Sequence, residues 1–293
     1  MAIALPDRVR VGIEELQALP TLPAVALRVM DLARDPETPI ETLAQLIERD
    51  PALSAAILRV VNSAFYERPH PISSLQRALV VLGVTEVRRI CLVVAVFKAF
   101  PGRPGQQGLD RKLFWQHSAA CGVAARRLCE LLKTPHDGEE FTAGLLHDVG
   151  KLILDLCFPE TYREAVAIAH RDNCSMADAE RGVFDADHAE VGAWLAERWK
   201  LPEDLTAAIR WHHNPELAPQ PRLAAIVHLA DLFAHAADSE AGGERTPIAV
   251  QHTAAWNILR GDRISEPVDL DWLTLRLDEE MVKHRDLFGG AAL

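Results

Sequence analysis

The residues best equipped for chemistry lie in FTAGLLHDVGKLILDL, residues 141–156, where His147, Asp148 and Lys151 interrupt an apolar run. The stretch reads as one helix, with Leu145, Leu146, Val149, Leu152, Ile153 and Leu154 around the three polar groups. A helix that is apolar on most faces is buried, and a buried carboxylate or ammonium needs a partner. Lys151 follows His147 by four residues and Asp148 by three, so one side of a helix can carry all three. An adjacent His–Asp pair offers a ring nitrogen and a carboxylate oxygen to one point, and a divalent ion bound there would resolve the burial of both. A hydrogen-bonded core pair is the alternative use of the same residues.

More residues of the same types follow on separate segments. His117 lies in LFWQHSAACGVAARRL, His188 opens DHAEVGAWLAERW, His212 and His213 close AIRWHH, and Asp231 interrupts AAIVHLADLFAH. No local ligand spacing such as HExxH is present, so only a fold could bring these groups together. His188 has a capping or surface role as its alternative. His212 and His213 can simply complement a helix C-terminus. His228 and His235 flank Asp231 and read as supporting or core residues. Lys151 reads as a charge partner of Asp148 or of a bound anion.

These residues need elements to hold them, and every local signal is helical. Thr38-Pro39-Ile40-Glu41, Asp50-Pro51, Ser73 with Gln76, Asp137 with Glu140, and Asp187 with Glu190 all read as helix starts. Between them apolar residues recur at three and four, as in Val25, Val29, Leu32 and in Leu53, Ile57, Val60. Even ICLVVAVFKAF, apolar enough for a strand, continues a helical pattern and is long for a strand. An all-α fold in two lobes is expected. The N-terminal lobe covers residues 1–100, a Pro/Gly-rich linker 101–108, the lobe with the candidate ligands 109–240, and a C-terminal helical tail 241–293.

Composition narrows the function classes. The 293 residues are 49% hydrophobic and 25% charged, ordinary for a globular protein. No apolar run approaches the roughly 18 residues of a membrane span, and the N-terminus carries no signal-peptide pattern. A net charge of −11 without a basic run argues against holding nucleic acid through its phosphates. The five cysteines form no CxxC and read as reduced, buried thiols, which points to the cytoplasm.

The order His117, His147-Asp148, Asp231 resembles the HD phosphohydrolase superfamily. The N-terminal half is similar to the HDOD family of bacterial signalling domains through LPTLP, ERDPALS, NSAFY and ALVVLG. The resemblance spans about residues 12–215. It implies an all-helical fold with metal ligation by His117, His147, Asp148 and Asp231, and a regulatory module acting through partner signalling proteins in trans. HDOD domains commonly lose some of those ligands; this chain keeps all four. With Lys151, His188, His212 and His213 it also resembles the HD-GYP phosphodiesterases, in which extra histidines support a second metal. The resemblance thus implies one or two divalent ions (Fe, Mn, Mg or Zn). Asn214-Pro215-Glu216-Leu217 stands where those enzymes carry DGxGYP, so weak or no turnover of cyclic di-GMP is expected.

Two functions follow. One is a non-catalytic signalling module with a retained metal site. The other is a metal-dependent phosphohydrolase acting on a phosphodiester or nucleotide, with Asp148 and Lys151 as its catalytic groups.

Overall fold

The computed structural model describes residues 3–15, 22–33, 35, 38–62, 70–100, 108–134, 138–239, 250–261 and 269–283. Among them there is no strand, and no helix is long and apolar enough to cross a membrane. The sequence-expected linker lies outside the described residues apart from Gly108, and so do Asp137 and the Gly/Pro break at 241–247.

The chain divides into two compact units. One contains α2 (Ala24–Leu32), α3 (Ile40–Ile47), α4 (Pro51–Val61) and α5 (Leu75–Ala99). Its core is a single apolar cluster that includes Val29, Leu43, Ile47, Leu53, Ile57, Leu79 and Val94. The three-four spacing read from the sequence puts these residues on the inner faces. Asp50 caps α4 by accepting from the Leu53 backbone N–H at 2.9 Å. Asn62, the first residue of NSAFY, clamps the end of α4: its Nδ2 donates to the Leu58 and Ile72 carbonyls and its Oδ1 accepts from the Ile72 N–H.

Two helix starts differ from expectation. Thr38 does not cap α3; its Oγ1 donates to the Leu32 carbonyl at 2.6 Å and ties α2 to the next turn, while Pro39 stands at the N-cap. Ser74, not Ser73, caps α5 by accepting from the Arg77 N–H. Within α5, Gly83 has φ 76° and ψ 161° and interrupts the helical path. That backbone region is essentially restricted to glycine, which gives ALVVLG its last residue a physical reason.

The other unit contains α1 (Asp7–Glu14), α6 (Arg111–Leu131), α7 (Glu139–Leu146), α8 (Val149–Cys157), α9 (Pro159–Asp172), α10 (Met176–Phe184), α11 (His188–Arg198), α12 (Glu203–Trp211), α13 (Pro221–Ser239), α14 (Ala254–Arg260) and α15 (Leu270–Lys283). By contacts α1 groups with this unit, whereas the sequence reading placed residues 1–100 together. Val9 and Ile13 of α1 are buried, and Glu14 pairs with Arg198 of α11 at 2.7 Å. By contacts α14, and α15 as far as Val282, also group with this unit. Around α8, α7 packs on α6 and α13, and α11 packs on α8 and α12.

Candidate functional site

The 141–156 stretch is two helices, not one. α7 ends at Leu146, α8 begins at Val149, and His147-Asp148 forms the corner between them. Asp148 has φ −95° and ψ 7°, a turn conformation, and its carboxylate makes no capping bond to α8. The break turns both side chains inward together, which a continuous helix would not do, since consecutive residues on a helix do not face the same way.

His117 of α6, His147-Asp148 at the corner and Asp231 of α13 converge. His117 Nε2 lies 3.0 Å from Asp231 Oδ1, and His147 Nε2 lies 3.4 Å from both Asp148 Oδ2 and Asp231 Oδ1. The donor atoms of His117, His147 and Asp148 all fall within 4.8 Å of one another. A second set sits on the other oxygen of the same aspartate. His188 Nε2 is 3.1 Å and His212 Nε2 3.9 Å from Asp148 Oδ1. His213 Nε2 is 2.9 Å from His188 Nε2, and the donors of His188, His212 and His213 again lie within 4.8 Å. Asp148 thus presents one oxygen to each set. Lys151 closes the edge with Nζ 2.6 Å from Asp148 Oδ2.

The second set depends on α11 lying hard against α8. A Cβ on Gly150 would stand 1.9 Å from the His188 carbonyl oxygen, so only glycine fits two residues after Asp148. Asp187 caps α11 with the full box expected from the sequence: it accepts from the Glu190 N–H, and Glu190 Oε2 accepts from the Asp187 N–H. His188 is buried at the first position of that helix, not at the surface.

Backbone carbonyls set the ring tautomers. His147 Nδ1 donates to the Gly144 carbonyl at 2.6 Å and His212 Nδ1 to the Ile209 carbonyl at 2.8 Å. Each neutral ring then carries its lone pair on Nε2. Both Nε2 atoms are buried and have no hydrogen-bond partner. A buried polar atom without a partner costs stability, and two of them aimed into one carboxylate-containing cluster fit a divalent cation. His228 Nδ1 donates to the His212 carbonyl, so it supports the cluster from outside.

Electrostatics describe the same cluster without an ion. Burial lowers the affinity of His147 for a proton, but neighbouring Asp148 outweighs it and the pKa rises well above the ordinary value. Burial likewise opposes, and the Glu180 carboxylate overcomes, the rise of His188 to about 9. His212 and His213 go the other way: burial first, then neighbouring histidines, push His212 well down and His213 down to about 3. Burial would raise the carboxyls of Asp148 and Asp231, yet adjacent histidines hold both well below the usual range, with Lys151 helping at Asp148.

Sequence reading missed two partners. Glu180 of α10 is fully buried and accepts from His188 Nδ1 at 2.5 Å and from the His188 N–H at 2.7 Å. It shares the inner face of α10 with Ala177 and Phe184, so its helical spacing was the available signal. Cys121 stands one turn after His117 on α6, with Sγ within 4.8 Å of donors from His147 and Asp231. His235, read as a flanking residue, pairs through Nδ1 with Asp231 Oδ1 at 2.9 Å on the exposed side.

A model of the HDOD domain matches residues 19–215, more than half of the chain. The chain belongs to the HDOD domain family. An HDOD domain protein of unknown function from Geobacter sulfurreducens has 28% identity and a TM-score of 0.78, covering 96% of this chain and 97% of that one. A Shewanella amazonensis SB2B protein, provisionally described as a phosphohydrolase, has 27% identity and a TM-score of 0.74, covering 96% and 98%. An uncharacterized Treponema pallidum protein is 27% identical over 241 residues, which are 80% of this chain and 45% of that protein. The HDOD chain therefore spans about half the length of that curated relative. Family and fold together make it a helical HDOD module.

Proposed function

We propose that this HDOD domain is a bacterial-type regulatory module that holds divalent metal in its second unit and acts through contacts with signalling proteins. One observation carries the metal: Asp148 offers an oxygen to each of two donor sets, in which the Nε2 atoms of His147 and His212 are buried and make no hydrogen bond. His117, His147, Asp148 and Asp231 would hold one ion; His188, His212 and His213, with Asp148 shared, would hold a second. Glu180 fixes the ring of His188 in the manner of carboxylates that orient ligating histidines. Regulation by contact is supported by family membership.

A second reading, phosphohydrolysis, is favoured by Lys151. Its ammonium sits on Asp148 at the rim, with its side chain only partly exposed, where it can offset charge on an approaching phosphate. The half-exposed His235 and the partly open His117 and Asp231 leave that edge accessible. When bound, an ion would supply a polarised phosphoryl oxygen and an acidified water. This chain's own groups would hold the phosphate at the rim and keep Asp148 ionised.

Elemental analysis of purified protein, followed by assays with an aryl phosphodiester, common nucleotides and cyclic di-GMP, separates the readings. Bound metal with weak or no turnover is the expected result. Efficient cyclic di-GMP hydrolysis that disappears in Asp148→Ala would replace regulation with catalysis. Protein that takes up no metal when offered Mn, Fe or Zn would remove the metal reading altogether.

A further inference from the structure

Cys121 has no place in the ligand set implied by the family resemblance, yet it stands inside the cluster. On α6 it follows His117 by four residues, so both side chains project from one face toward the His147-Asp148 corner. Its side chain is fully buried, and its sulfur lies within 4.8 Å of the donors of His147 and Asp231. Cys121 is the only cysteine in any such group among the described residues. The backbone makes this closeness firm. A Cβ on Gly144 would stand 2.8 Å from the Cys121 carbonyl oxygen, so α6 and α7 touch at this residue. Gly144 is also the residue whose carbonyl fixes His147 Nδ1. The sulfur of Cys121 and ligand atoms of His147 and Asp231 therefore lie within 4.8 Å of one another, and His147 Nε2 makes no hydrogen bond.

We propose that Cys121 ligates the ion at His147 and Asp231 through its sulfur, giving this half of the cluster a mixed thiolate, imidazole and carboxylate character. The inference rests on the reading of that cluster as a metal centre and deepens it by naming the metal class. On binding, the Sγ–H bond breaks, its proton leaves to solvent, and the sulfur lone pair forms the bond to the ion. A thiolate favours thiophilic ions, whereas all-oxygen and nitrogen sets tolerate Mg²⁺ and Mn²⁺. The site should therefore prefer Zn²⁺, Co²⁺ or Fe²⁺ over Mg²⁺.

Titration of metal-free protein with Co²⁺ tests this without reference to activity. Visible d–d bands report that the ion has bound, and a near-ultraviolet sulfur-to-cobalt charge-transfer band reports that sulfur is a ligand. Both are expected in the natural sequence. Cys121→Ser should lose the charge-transfer band, keep the visible bands, and bind Zn²⁺ on the order of tenfold or more weakly, the scale for altering a group that tunes a metal site. Its Mg²⁺ affinity should change little. Cys121→Ala, which keeps a small apolar residue, guards against a folding defect of the serine variant. Visible bands without a charge-transfer band in the natural sequence would overturn the sulfur ligand and leave the metal centre standing. No bands at all would remove the metal centre itself.

Discussion

The unit of α2–α5 and the unit around α8 use the same secondary structure for opposite ends. In the first, described buried residues are apolar, and polar groups stay at the margin, as in the partly exposed Asp50–Lys98 pair at 3.3 Å. In the second, eleven buried residues are polar or charged, running from Ser118 to His212, and they include His147, Asp148, Glu180, His188 and His212. A core of the first kind is stabilised by removing apolar area from water. A core of the second kind gives up part of that gain to keep ionisable groups in fixed geometry, with two buried imidazole nitrogens that make no hydrogen bond. Stability in the first should depend on volume, and in the second on what occupies the cluster.

The sharpest way to break this comparison is a pair of substitutions. Asp148→Ala removes the one carboxylate that faces both donor sets, so metal uptake should be abolished while α2–α5 keep their protection. Ile57→Ala, in the apolar cluster, should cost about 2–5 kcal/mol and leave metal uptake unchanged. Hydrogen exchange with and without Zn²⁺ reads both. Added metal should protect the amides of α7, α8 and α11, because a ligand bound only by folded protein stabilises what it touches. Equal protection of α3–α5 by metal would erase the distinction.

A pH series on metal-free protein gives the next largest effect. His147 and His188 have folded pKa values above the ordinary 6.5, His188 at about 9. Their contribution is complete below 6.5 and is lost as pH rises through the folded values, about 9 for His188. His212 and His213 have depressed values, so they stay neutral when folded but take up protons when unfolded, and their effect removes stability as pH falls below 6.5. Asp148 and Asp231 add a further acid loss as pH falls from the ordinary carboxyl value toward their lowered ones. Thermal melting should therefore peak near pH 6.5. On the proposed metal reading an ion would replace the protons on His147 and His188, so the gap between metal-loaded and metal-free melting temperatures should widen from pH 6.5 to 9. A gap that narrows over that range would count against ligation by these histidines.

Much of this division was legible before the structure. Apolar spacing of three and four identifies the inner faces of α2–α5 because a local period fixes which residues share a face. The caps by Asp50 and Asp187 were legible for the same reason: the groups that bond are three residues apart. Awkward burial singled out His147, Asp148 and Asp231, since each needs a partner wherever the fold puts it. What local pattern could not give was the corner at His147-Asp148. Its flanking sequence has helical composition on both sides, and the turn is held by tertiary packing against α6 and α11. Gly150 was the missed clue, a helical glycine that only a neighbouring helix explains. Glu180 and Cys121 were hidden because their roles depend on contacts with the following helix, α11 and α7 respectively, which the period of one helix does not report.

Two glycines, one in each unit, give the smallest effects and the cleanest contrast in sign. Neither Gly83 nor Gly182 has any atom within 4 Å of an added Cβ, so sterics with neighbours drop out and backbone conformation decides. Gly83 holds φ 76° and ψ 161° inside the path of α5, where an L-residue is strained. Gly83→Ala should cost about 1–3 kcal/mol. Gly182 lies within the regular α10 and shows no positive φ. Alanine there lowers the entropy of the unfolded chain without straining the helix, so Gly182→Ala should stabilise by about 0.4–1 kcal/mol. Because Gly182 shares α10 with Glu180, the same variant asks whether stiffening the helix that orients His188 alters the proposed metal centre. Urea midpoints measured with and without Zn²⁺ read both effects. A metal-dependent shift that matches the natural sequence means that Glu180 was already held by its bonds to His188. A larger shift means that α10 in the natural protein gives up some order that metal binding must restore.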